Sequence, residues 1–260
     1  MDGINELLPQ GKEISEATVA EREANAARLW TRGLDSDDVA AVHGTSIESL
    51  QSAFQAGVLP GATEPDPVMR PGAFYFMAVN GHFPFDKIPD LDGDIREYYE
   101  ESDLGYAVED VSGYAEMAGT SHRLLTILGA PLSSNATDAI RVITNYGKPK
   151  PINIDLRQSL PIILALAGSK EKLDQAVQDA RGRKGIVLGI KPDIFEKYTP
   201  SVGDNYDLKI ETGDEGFPLE YISGILAIGE EEQQYFEELC RKHAIPVPQG
   251  IEPAYLAARF

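Results

Sequence analysis

Cysteine is nearly absent: Cys240 stands alone in 260 residues. That excludes an intramolecular disulfide and any cysteine-rich zinc site, and it fits a reducing compartment without forbidding export. Long apolar runs are also missing. The longest, Leu160–Ala167 (LPIILALA), falls well short of the ~20 residues that span a bilayer and is expected to lie in the core. The opening MDGINELLPQ lacks the basic-then-apolar order of a secretory signal. The expectation is therefore no membrane partner and a cytoplasmic protein, or one exported as an effector. Positive charge is scarce, with 23 Lys and Arg against 42 Asp and Glu and a formal charge of -19. Polyphosphate needs a local excess of cations, which disfavours nucleic acid as a partner. The densest basic stretches are Lys148, Lys150 and Arg157, and Arg181, Arg183 and Lys184. The acidity reads as solubility or a saline habitat before it reads as a specific cationic partner.

What is present is a foldable composition, 42% hydrophobic and 25% charged. Residues 15–32 predict a helix capped by Ser15 and stopped by Gly33. Val39–His43 predicts a short buried strand with His43 at its exit. Thr45 with Glu48 has capping-box spacing for the helix that follows. Four prolines in 59–71 predict a loop before a buried strand at Gly72–Val79. The chain from Asn80 to Gly105 predicts a long loop with one short helix near Ile95–Glu100. A long or kinked helix is expected over Val108–Leu128, strands at Ala139–Tyr146 and Ile152–Leu156, and a helix at Lys170–Ala180. Further strands are expected at Gly185–Ile190, at Tyr206–Thr212 as an edge, and at Tyr221–Ile228, with a helix at Glu230–His243. The class is α+β, divided into an N-terminal helical arm (1–36) and a single domain (37–260).

The commonest phosphate, zinc and serine-nucleophile signatures are absent. His43, His82, His122 and His243 are too dispersed to predict a histidine metal site, so no metal is expected. What remains is an ordered constellation. His43-Gly44-Thr45 runs into a helix ending Gln55–Gly61 (QAGVLPG). Gly72 precedes Phe74-Tyr75-Phe76, Tyr114-Ala115 sits on a later helix, and Pro218–Ile225 reads PLEYISGI. In order and spacing these resemble the ADP-ribosyltransferase superfamily of the His-Tyr-Glu type, and together they touch about three-quarters of the chain.

The resemblance implies an α+β fold with an ADP-ribosyltransferase-like split β-sheet core and flanking helices. It also implies an NAD-dependent enzyme that cleaves the nicotinamide–ribose bond and transfers ADP-ribose to a protein or small-molecule acceptor, or to water. NAD would be its substrate. By that likeness His43 holds a ribose hydroxyl, Gly44 brings its backbone to the carboxamide, Thr45 supports the turn, Tyr75 stacks on nicotinamide, and Phe76 joins the NAD-binding set. The late acid is less well defined. Asp207 and Glu211 share one face of YDLKIET; Glu211 is preferred by residue type and spacing, Asp207 follows, and Glu215 is third. Tyr198–Asn205 would face the acceptor. The competing readings are a buried His43 satisfied by a backbone carbonyl, Tyr75 as a core aromatic, a catalytically inactive ligand- or partner-binding relative, an RNA 2′-phosphotransferase-like enzyme using Arg70, Arg123 and Arg141, and an unrelated α+β domain in which the motifs coincide by chance.

Overall fold

A computed structural model of the protein describes residues 14–59, 72–88, 91–132, 135–146, 156–203 and 208–248. The chain begins with α1 (Glu16–Arg32), whose Ser15 hydroxyl accepts from the Thr18 amide and which ends at Gly33 with φ 71°. Next come β1 (Ala41–Thr45), α2 (Ile47–Ala56), β2 (Val58–Leu59), β3 (Ala73–Ala78), α3 (Gly93–Glu100) and α4 (Leu104–Ile127). These are followed by α5 (Ala136–Asn145), α6 (Leu156–Ala167), α7 (Lys170–Ala180), β4 (Ile186–Ile190), α8 (Ile194–Lys197) and β5 (Ser201–Val202). The described chain closes with β6 (Leu208–Glu211), β7 (Phe217–Pro218), β8 (Ile222–Ala227) and α9 (Glu230–Lys242).

Six strands form one antiparallel sheet in the order β5-β6-β3-β1-β4-β8, and β2 pairs with β7 beside it. The central strands β1, β3, β4 and β8 are almost wholly buried, which is why AVHGT, AFYFMA, IVLGI and ISGILA read as apolar runs. Two hydrophobic clusters result. The larger joins the sheet to α1, α2, the first half of α4 and α9. The smaller gathers Leu124 and Leu125 at the end of α4 with α5, α6 and α7, a helical lobe between β3 and β4.

Several expectations change. The arm is not separate: Ala26, Ala27 and Trp30 of α1 belong to the main core, and Trp30 stacks on Phe236 of α9 with centroids 5.7 Å apart. Ala139–Tyr146, predicted as a strand, is helical as far as Asn145 because Ala139 and Val142, three apart, are buried in the helical lobe. Ile152–Leu156 reaches the described residues only at Leu156, the start of α6. The apolar run in α6 is half core: Ile163 and Ala167 are buried, while Ile162 and Leu166 are exposed. Ser46 rather than Thr45 caps α2, its hydroxyl accepting from the Ser49 amide at 3.0 Å. β6 is not the edge, since β5 lies outside it. Among the described residues no helix is long and apolar enough to cross a membrane.

Candidate functional site

The sheet splits between β1 and β3. Their ladder has two rungs, Ala41–Ala78 and Val42–Met77, whereas on its other edge β1 pairs with β4 as far as Thr45. His43 is therefore in mid-strand and not at the strand exit. Backbone alternation shows what the split exposes. The Ala40 carbonyl accepts from the Val79 amide at 2.9 Å while the Ala40 amide turns to Ile190 of β4, so the regular alternation is counted from Val42, opposite Met77, and directs the N–H and C=O of Gly44 toward β3. Val42 meets Met77. The next rung would join Gly44 to Tyr75, but the ladder has already ended.

His43 takes the place of that rung. Its Nδ1 lies 2.7 Å from the Tyr75 carbonyl oxygen. A carbonyl only accepts, so Nδ1 carries the proton, and in the neutral ring Nε2 is left as an acceptor. Burial pushes the imidazole down to about 4, opposed in part by the Tyr75 carbonyl, so the ring is neutral near pH 7. The ring lies 4.1 Å from Phe74, which stacks at 4.3 Å on Phe217 of β7. The structure thus contains the backbone carbonyl anticipated for a structural histidine, at Nδ1. Nε2 has no hydrogen-bond partner among the described residues.

Gly44 is needed for a reason that the sequence did not reveal. A Cβ there would stand 2.6 Å from the Val111 carbonyl and 2.8 Å from the Ala115 amide, so the missing side chain lets α4 cross the strand. Thr45 is buried at the end of β1 and pairs with Ile186. Phe76 is not in the split: it is buried against Phe83 and Phe195, with centroids 5.7 and 5.3 Å away. That corrects its expected part in NAD binding. The period-two pleat directs Phe74 and Phe76 away from the face that carries Tyr75.

Across β3 the register opposes Tyr75 to Lys209 and Ala73 to Glu211, so Tyr75, Lys209 and Glu211 share a face at one end of the sheet. Gly72, at φ 76°, anchors that end: its carbonyl accepts from the amides of Thr212 at 2.8 Å and Gly213 at 2.9 Å. Glu211 is exposed and ion-paired with Lys209, which is buried. Asp207 lies outside the described residues. Glu215 sits beyond β6 in a short 3₁₀ turn, where the Tyr198 hydroxyl donates to it at 3.5 Å. Among the described residues no group of three His, Cys, Asp or Glu is placed to hold a metal.

Two groups escaped the sequence reading. Lys209 had a signal, since it alternates with Glu211 on the strand face already singled out. Arg183 was named only within a basic stretch, and nothing in the spacing foretold its partners: it reaches Glu48 at 3.3 Å, Glu231 at 2.5 Å and Glu232 at 3.4 Å, joining residues far apart in the chain. An open cleft of about 480 Å³ lies beside Glu48, bounded by Gln51, Ser52, Gln55, Thr126 and residues 130–132. Neither His43, Tyr75 nor Glu211 borders it. No protein-family model, curated protein or solved structure matches the chain.

Proposed function

We propose that this protein is an NAD-dependent ADP-ribosyltransferase whose donor site is the split between β1 and β3. The observation that carries the reading is the missing Gly44–Tyr75 rung. By the alternation of the strand, the N–H and C=O of Gly44 are directed toward β3 beyond the last rung. A carboxamide has one donor group and one acceptor, so a paired backbone C=O and N–H match nicotinamide as a further strand would.

The flanking groups would meet the same substrate from the two faces of the sheet, His43 from the Phe74 face and Tyr75 and Glu211 from the other. Nε2 of the neutral His43 is an acceptor for a ribose hydroxyl, and Tyr75 offers a ring for stacking. Glu211 supplies the negative charge that an oxocarbenium-like state at C1′ requires. In the reaction the C1′–N bond breaks, its electron pair stays on the nicotinamide nitrogen, and C1′ bonds to the acceptor, whose proton passes to solvent. The leaving group departs neutral, so no strong general acid is needed. The scarcity of cations favours a protein or small-molecule acceptor over RNA.

Nicotinamide release from NAD, followed alongside calorimetric NAD binding, tests the reading. Release by the wild type and a fall of at least ~100-fold in Glu211→Gln, with NAD affinity retained, is the expected result. Binding without release in the wild type would instead support a silent relative. Absence of both binding and release overturns the reading.

A further inference from the structure

We infer that Lys209 is a positioning residue for Glu211, an inference that rests on the donor-site reading above. The two residues stand two apart on β6 and therefore on one face, and the Lys209 ammonium pairs with the Glu211 carboxylate. The pair is lopsided. The lysine side chain is 5% exposed and the glutamate side chain 56%, so the cation is the fixed end and the carboxylate the free one.

The register explains why the cation is fixed. Lys209 stands opposite Tyr75 on β3 and opposite Ser201 on β5, inside a strand flanked on both edges. Extending the β1–β3 register sets Gly44, Tyr75, Lys209 and Ser201 in one transverse row, with the split on one side of Tyr75 and the ammonium on the other. A half-exposed glutamate on its own would sample several rotamers. A buried ammonium within hydrogen-bond reach selects those that keep the carboxylate beside the Tyr75 row. Such orientation matters because small misplacements of a reacting partner cost up to ~100-fold in rate.

A purely structural role predicts something else. The cost of breaking an ion pair comes from the charge left buried, and Glu211 is solvated, so removing Lys209 leaves none, while methionine keeps most of the stem. Lys209→Met should therefore fold and melt like the wild type. Its kcat for nicotinamide release should fall at least ~10-fold with KM for NAD within about threefold, the pattern of lost transition-state stabilisation. Lys209→Arg should restore kcat to within about threefold of wild type. In a Glu211→Gln background Lys209→Met should add no further loss, since its action passes through that carboxylate.

Wild-type kcat in Lys209→Met, or an equal additional loss in the Glu211→Gln background, overturns the inference alone. If Lys209→Met does not fold, Lys209→Arg decides: a rate reduced as much as that of Glu211→Gln, in a folded protein, overturns it. A wild type that releases no nicotinamide overturns the parent reading instead.

Discussion

The imidazole of His43 and the carbonyl of Tyr75 meet at 2.7 Å where β1 and β3 cease to pair. A side chain satisfies an acceptor that the neighbouring strand would otherwise have used. The contact falls where the next rung of the ladder would join Gly44 to Tyr75.

Stacking by Tyr75 gives the first prediction. Tyr75→Ala should weaken NAD binding about tenfold, the upper scale of an aromatic contact, while affecting kcat less. Titration calorimetry with NAD measures it, and unchanged affinity removes the stacking role.

Gly44→Ala should disturb the fold before it disturbs the chemistry. The added carbon meets helix backbone at 2.6 and 2.8 Å, and backbone cannot rotate away as a side chain can. Overpacking of this kind costs about 1–3 kcal/mol, so urea denaturation should show a lower midpoint with an unchanged slope.

Arg183→Met should be among the more damaging single changes. Glu48 and Glu232 are both buried, and Arg183 is the cation between them. Burial pushes the Glu232 carboxyl up, and Arg183 opposes that shift only in part. Removing the guanidinium leaves buried carboxylates unpaired, a loss of about 3–5 kcal/mol that denaturant unfolding would register. A double change of Glu48 and Glu232 to Gln in the Met variant should recover part of it.

Stability should fall with acid between pH 6.5 and 4. Burial pushes His43 and His122 down to about 4 from the usual 6.5, so in this window the unfolded chain binds protons that the folded protein refuses. Above pH 6.5 both states are neutral at these rings and the contribution is complete. It is lost as pH drops through the window and levels off near 4. Replacing His122, whose Nδ1 lies 2.7 Å from the Ser46 hydroxyl and 3.0 Å from that of Ser49, with Asn should flatten this part of the unfolding profile. An unchanged slope would count against a neutral buried ring.

Much of the fold was legible because it depends on local signals. Ser15 and Gly33 bracket α1, and short apolar runs bounded by turns mark β1, β3, β4 and β8. The errors came where tertiary contacts outweighed propensity. Ala139–Tyr146 carries β-branched residues yet is helical as far as Asn145, because a helix presents Ala139 and Val142 together to the lobe. Phe76 sits beside Tyr75 in sequence but on the opposite face of the sheet.

The sequence by itself determined the α+β class, most element positions and the lack of disulfides, since composition and period are local properties, while His43, Tyr75 and Glu211 were singled out only through the family resemblance. Tertiary structure alone decided where β1 and β3 part, why Gly44 must lack a side chain, and how Arg183 gathers Glu48, Glu231 and Glu232. Those depend on strand register and helix crossing, which bring distant residues within a few ångströms and leave no trace in the spacing along the chain.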